Sequence, residues 1–282
     1  ADGTPAAAER IRRLAHYGQI LQSHALHFYH LASPDLLFGF ESDLQKRNVV
    51  GVLAAYPDIA RQGILLRKYG QEIIRITMGK RVHGTGSIPG GVNKRLTVSE
   101  RDELLVALPE VLRWAHGGVQ LASALYRQNH DLYDHFGTVR SSLLSLVGRD
   151  GKLDLYDGVL RARDADGALI FDQVECQEYG AYLRENVRSW SYMKFPFILS
   201  RGAEDGWYKV GPLARIQNCD AIGTPLAEAA RQELLERSPG TLIHAPLAFH
   251  AARMIELLHA AEVIQGLLAD PALLGEELVA SG

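Results

Sequence analysis

The side chains whose types and spacing could do chemistry gather in one run, GKRVHGTGSIPGGVN at 79–93, which carries Lys80, Arg81 and His83 and then a tight Pro89-Gly90-Gly91 turn. Long glycine-bearing loops in compact domains are usually functional or mobile. The familiar phosphate cradles do not fit it. Gly79-Lys80 lacks the upstream glycine and the following Ser or Thr of a Walker loop. Gly84, Gly86, Gly90 and Gly91 do not follow a strand with dinucleotide-binding spacing. A second group is His24, His27 and His30 in SHALHFYH. On a helix, successive steps of three drift by about 60°, so only neighbouring pairs share a face. With no further ligand evident in sequence, packed and hydrogen-bonded histidines are favoured over a metal site. Cys176 and Cys219 lie far apart and in no paired motif, so both are read as free thiols rather than a disulfide. No nucleophile elbow, HExxH or CxxC is present, and the carboxylates are too scattered to nominate an acid/base pair.

The elements around these residues are mostly helical. Ile11, Leu14, Leu21, Ala25 and Phe28 recur at three- and four-residue steps, predicting a helix from Ala6 to about Leu31 behind Thr4-Pro5. A shorter helix is expected over 45–56. Pro57-Asp58 then starts one that runs toward Met78 and buries Ile64, Leu65, Ile73, Ile74 and Ile76. It should end at Gly79, where the basic loop begins. Either Thr97 with Glu100 or Ser99 with Asp102 offers a cap for a long helix reaching about Tyr126, with Pro109 and Gly117-Gly118 as kinks or breaks.

The pattern changes near Thr138. Asp150-Gly151 and Asp166-Gly167 are hairpin signals, and Leu160 and Ala162 alternate with Arg161 and Arg163 as in a half-buried strand. A small antiparallel meander is predicted over 142–174. Helix is expected again over 179–187, then an aromatic connector WSYMKFP, a short strand at 207–210 and a turn GPLAR. Two further helices follow, over 225–236 and, after Pro239-Gly240, over 247–268. On the last, Met254, Leu257, Leu258, Ala261, Ile264 and Leu268 share a face that leaves Arg253, Glu256 and Glu262 mostly off it. The fold class is mainly α with a small antiparallel β meander (α+β). It is organised as one domain: 1–137 helical, 138–175 the meander, 176–282 mainly helical.

Bulk properties narrow the function classes. Apolar residues make up 47% and charged residues 22% of the 282, with a net charge of −3, which leaves no basic footprint for nucleic acid. No run approaches the roughly 18 apolar residues of a membrane span, and two lone thiols point to a reducing, cytoplasmic setting. The chain begins without methionine and stops abruptly, so a fragment is expected.

An ordered set of strings goes further than composition. RRLAHYGQILQSH and HFYHLASPDLLFG, then LRKYGQEII, GKRVHGTGSIPGGVN, WSYMKFP, VGPLAR, TPLAEAA and ARMIELLHAAEVI follow one another along almost the whole chain. In that order they resemble the large subunit of nickel-iron hydrogenases, in particular the bidirectional NAD-reducing, cytoplasmic type. The resemblance implies a hydrogenase large-subunit-like helical scaffold, and H2 cleavage at a nickel-iron centre held by four thiolates from two CxxC pairs. Neither pair occurs here, so the chain is similar to the central portion of such a subunit. It is expected by itself to hold no nickel and to be inactive, with the iron-sulfur clusters and flavin on partner subunits. The implied partners are NAD-reducing diaphorase subunits together with a hydrogenase small subunit; self-association of the fragment is a further expectation. Within the family, the histidine of the GK-x-x-H loop lies near a small-subunit cluster. Carried over, this makes His83, with Lys80, Arg81, Gly90 and Gly91, a subunit-interface element. The family's usual proline after that histidine is Gly84 here. The alternative is a metal-free scaffold protein related to the quinone-site subunit of respiratory complex I.

Overall fold

The structure is a computed structural model that describes residues 3–238 and 240–280; Ala1, Asp2, Pro239, Ser281 and Gly282 lie outside the described residues. Contacts divide the chain into two compact units, Ala1–Leu125 with Met254–Gly282, and Tyr126–Arg253.

The first unit opens with α1 (Ala6–Leu26), whose Ile11, Leu14, Leu21 and Ala25 are fully buried. The helix does not continue regularly to Leu31. It widens into a π-helical turn over His27–Ala32 before α2 (Ser33–Phe38). A residue inserted into the helical ladder in this way rotates the following side chains, a device frequent at functional sites. Here it delivers the Tyr29 ring onto Gly63, where a Cβ would stand 2.3 Å from the tyrosine Cβ. Gly63 rather than Ile64 therefore faces the core, and Ile64 is left half exposed.

The next helix, α3 (Val49–Ala55), starts later than its sequence pattern suggests. The Asn48 side chain accepts from the amides of Val50 and Gly51, and that cap fixes the start. α4 (Pro57–Met78) ends as expected at Gly79, which takes φ 82° and donates its N–H to the Arg75 carbonyl. A two-residue hairpin follows, β1 (Ser87–Ile88) against β2 (Gly91–Val92).

α5 (Val98–Gln128) begins at a reciprocal cap. The Thr97 amide donates to Glu100 Oε2 at 3.0 Å, and the Glu100 amide to Thr97 Oγ1 at 3.2 Å. Neither Pro109 nor Gly117-Gly118 breaks it. Pro109 sits on the exposed face, where water can satisfy the carbonyl its ring frees. Gly118 is required by packing, since a Cβ there would lie 2.4 Å from the Tyr29 hydroxyl oxygen.

In the second unit α6 (His130–His135) leads into β3 (Ser142–Val147), β4 (Val159–Arg163) and β5 (Leu169–Val174), the predicted antiparallel meander. Arg161 is not half-buried. It is 4% exposed, because Asp172 grips its guanidinium at 2.7 and 3.0 Å while the Asn218 carbonyl and Asp220 each accept from Nη1 at 2.8 Å.

The helix expected over 179–187 is absent. A 3-10 turn (Cys176–Ala181) precedes β6 (Leu183–Val187), which pairs antiparallel with β7 (Lys194–Ile198), from Leu183 opposite Ile198 to Val187 opposite Lys194. The aromatic run is therefore a hairpin tip plus a strand. Leu183, partly buried, packs against the apolar cluster that includes Leu144, Phe171 and its strand partner Ile198, and that packing fixes the strand state against local propensity. After α7 (Gly202–Asp205), β8 (Tyr208–Lys209) adds parallel to β3; α8 (Pro212–Asn218) and α9 (Pro225–Leu235) complete the unit. Both cysteines are free, Cys176 exposed and Cys219 buried.

α10 (Ala248–Ala269) returns the chain to the first unit. Its predicted apolar face is buried, but Glu256 and Glu262 are buried too, at 0% and 9% exposure. Between Ala251 and Ile264 nearly every residue is buried, so polarity does not mark an outer face there. Glu256 is accommodated by His24, whose Nε2 lies 2.8 Å from Oε2. Among the described residues no single helix is long and apolar enough to cross a membrane.

Candidate functional site

α1 and α4 bring the basic loop together with residues far away in sequence. The helices cross at Gly18 and Gly70 so closely that a Cβ on Gly70 would lie 2.5 Å from the Gly18 carbonyl oxygen. The crossing sets Gln19 and Gln22 of α1 beside Arg67 and Gln71 of α4, and the loop closes over that patch with Arg81 and His83.

The loop itself is held firmly at its base. The Thr85 amide donates to the Met78 carbonyl at 3.0 Å, and the Asn93 amide to Gly86 at 2.9 Å. Arg12 of α1 clamps the hairpin turn, donating from Nη2 to the carbonyls of Ile88 at 2.7 Å and Gly91 at 2.6 Å. Within the turn, Pro89 is followed by Gly90 at φ 76°, the residue pair of a type II turn. Gly91 bridges to Val279, and a Cβ on it would stand 1.8 Å from the Leu278 carbonyl oxygen. The backbone geometry thus accounts for glycine at both positions.

The charged members point outward. Lys80, Arg81 and His83 are all exposed. Arg81 Nη2 donates to Glu72 Oε2 at 3.0 Å, while Arg75 holds the other oxygen at 2.7 Å. These partners, Arg75 foremost, keep the Glu72 carboxyl below its ordinary range. His83 has φ 52°, and Gln173 is the other non-glycine with positive φ among the described residues. A left-handed histidine is costly, so its backbone is fixed by the surrounding turns rather than by its own preference.

The histidines of SHALHFYH do not converge. His24 turns to Glu256. Burial lowers the pKa of His30, and the neighbouring Arg67 charge lowers it further. A larger cleft of about 880 Å3 lies in the second unit, among Arg127, Asp134, Arg140 and His244. Its cations are already matched, Arg140 with Asp166 and Arg127 with Glu233, and His244 Nε2 with the Ala165 carbonyl at 3.0 Å.

Sequence reasoning named the loop but missed Arg12, Arg67 and the three glutamines. They lie inside strings already singled out, yet nothing local shows that the Gly18–Gly70 crossing sets Arg67 and the glutamines beside His83, or that Arg12 reaches the hairpin turn.

No family model matches the chain. It superposes on a solved NAD+-reducing [NiFe]-hydrogenase in the H2-reduced state with a TM-score of 0.95 at 50% identity, covering 99% of this chain and 62% of that one. The chain is homologous to nickel-iron hydrogenase large subunits. Among curated relatives of this hydrogenase family, the NAD-reducing hydrogenase HoxS subunit beta of Cupriavidus necator is 39% identical over 96% of this chain and 57% of its own length. The matching vhu-type F420-non-reducing hydrogenase polypeptide of Methanocaldococcus jannaschii is 41% identical over 98% of this chain and 65% of its own. The chain therefore spans between about half and two thirds of these hydrogenase polypeptides. A [NiFeSe] hydrogenase from Desulfovibrio vulgaris Hildenborough shares the fold, with a TM-score of 0.73 at 20% identity.

The hydrogenase family implies a nickel-iron centre, and the residues present do not fit one. The sequence has two cysteines and no CxxC pair. Burial pushes the Cys219 thiol up to about 11, away from the thiolate a soft metal needs, and Cys176 is a lone surface thiol. Among the described residues no group of three or more His, Cys, Asp or Glu could hold a metal ion.

Proposed function

We propose that this chain is the central part of the catalytic large subunit of a nickel-iron hydrogenase that couples H2 oxidation to NAD+ reduction in the cytoplasm. The reading rests on the TM-score of 0.95 at 50% identity with an NAD+-reducing [NiFe]-hydrogenase, maintained over 99% of the chain. In this proposal the metal centre, which supplies heterolytic H2 cleavage, is held by cysteine pairs on flanking segments, and no described residue takes part in that step. The chain supplies a helical scaffold and, through the loop at 79–93, a face toward a small subunit. His83, exposed and held at φ 52°, presents its ring as a hydrogen-bond donor to an iron-sulfur cluster on that partner, with Lys80 and Arg81 beside it and Gly90 and Gly91 shaping the turn. Flavin, NAD and the remaining clusters belong to the small and diaphorase subunits.

The test is the coding sequence on either side. A CxxC pair is expected before Ala1 and another after Gly282. Two flanks without cysteine pairs would sink the proposal and favour a metal-free scaffold.

A further inference from the structure

Next to His83 a cavity of about 430 Å3 opens between α1, α4 and the loop. Its polar lining is Gln19, Gln22, Arg67, Gln71, Arg81 and His83, with no carboxylate among the lining residues. Arg67 makes no ion pair among the described residues, and its Nε is buried without a hydrogen-bond partner. The side-chain amides of Gln19, Gln22 and Gln71 likewise bond no other described group. Arg81 gives one edge to Glu72, a carboxylate it already shares with Arg75. Of these lining groups only the Arg67 Nε is fully buried, and an unmet buried donor on a charged side chain is costly; Gln19 is exposed and Gln22 and Gln71 are half-buried, open to whatever enters the cavity.

Guanidinium groups match carboxylates by their planar fork, and a charged pair shielded from water is stronger than a neutral one. The glutamine amides both donate and accept, which suits the alternating N–H and C=O groups of a peptide; a free phosphate ion uses donors alone. We propose that this cavity receives an acidic segment of the partner chain, an Asp or Glu side chain seated among Arg67, Arg81 and His83 with its flanking backbone held by the glutamines. This rests on the reading of 79–93 as an inter-chain face and adds to it the chemistry of what docks there.

The experiment uses the full-length gene product, tagged and co-purified with its partner across a series of rising salt. Arg67→Gln should lower retained partner by about tenfold or more and flatten the salt dependence, and Arg67→Lys should recover part of the loss. An Arg67→Gln complex that matches the unaltered one at every salt would overturn the acidic dock. If His83→Ala releases the partner while Arg67→Gln does not, the dock fails and the interface reading survives; retention unchanged by either overturns both. A competition arm needs no variant. An acetylated oligoglutamate peptide should displace the partner where its oligoglutamine counterpart does not. Equal displacement by inorganic phosphate at matched ionic strength would overturn the choice of a peptide ligand.

Discussion

His83 concentrates the tension between stability and role. Its φ of 52° costs a histidine about 1 kcal/mol or more relative to glycine, which adopts that region freely. His83→Gly should therefore leave the unfolding free energy unchanged or raise it slightly, the relieved strain of about 1 kcal/mol being offset by about 0.5–1 kcal/mol of extra unfolded-state entropy. It should at the same time remove the ring proposed to face the partner's cluster. A loss of stability in that variant would mean the imidazole packs within the fold and is not held out for a partner. Neighbouring Gly90 and Gly91 are of the opposite kind, where one positive φ and one carbonyl at 1.8 Å explain the residue type without any appeal to function. Their identity as a turn is legible in sequence. Their use as a base for Arg12 is not, because Arg12 lies on another element.

At the scale of elements, the π-helical turn and α5 are fitted to one another through Tyr29. Its hydroxyl is buried and without a hydrogen-bond partner, which pushes its pKa far above the ordinary phenol range. Tyr29→Phe should thus keep stability within about 0.5 kcal/mol of the unaltered chain, or raise it. Gly118→Ala, with its Cβ 2.4 Å from that oxygen, should cost about 1–3 kcal/mol in the same chemical melt. Equal losses from the two would show that the hydroxyl has a partner after all. In the meander, the Arg161 guanidinium bound to Asp172 holds that carboxyl below its ordinary range, against a smaller opposing effect of burial. A carboxylate with a depressed folded pKa contributes stability above its unfolded value near 4, and that contribution fades as pH falls through the folded value. The stability gap between the chain and Arg161→Met should accordingly narrow as the pH is lowered from about 5 toward 2. A gap of constant size in urea titrations over that range would refute the assignment. The alternation Leu160-Arg161-Ala162-Arg163 announces a strand, but the burial of Arg161 depends on Asn218 and Asp220, which the sequence places far away.

For the whole molecule, exposed apolar groups gather around the β6–β7 hairpin: Val187 at 70%, Trp190 at 76%, Tyr192 at 99% and Met193 at 61%. A surface of this kind is seldom left to water. The isolated 282-residue chain should therefore self-associate, with an apparent mass in gel filtration that rises with concentration. A strictly monomeric species over a wide range would count against that expectation.

The sequence by itself determined the helical class, the meander, the glycine stop after α4 and the family, because these are written in local periodicity, turn chemistry and the order of short strings. Only the tertiary structure decided where polar groups end up. It buried Glu256 against His24, turned 183–187 into a strand through a partner further along the chain, and set Arg67 and three glutamines beside His83. In each case the controlling contact joins residues on different elements, and no local pattern records which two elements will meet.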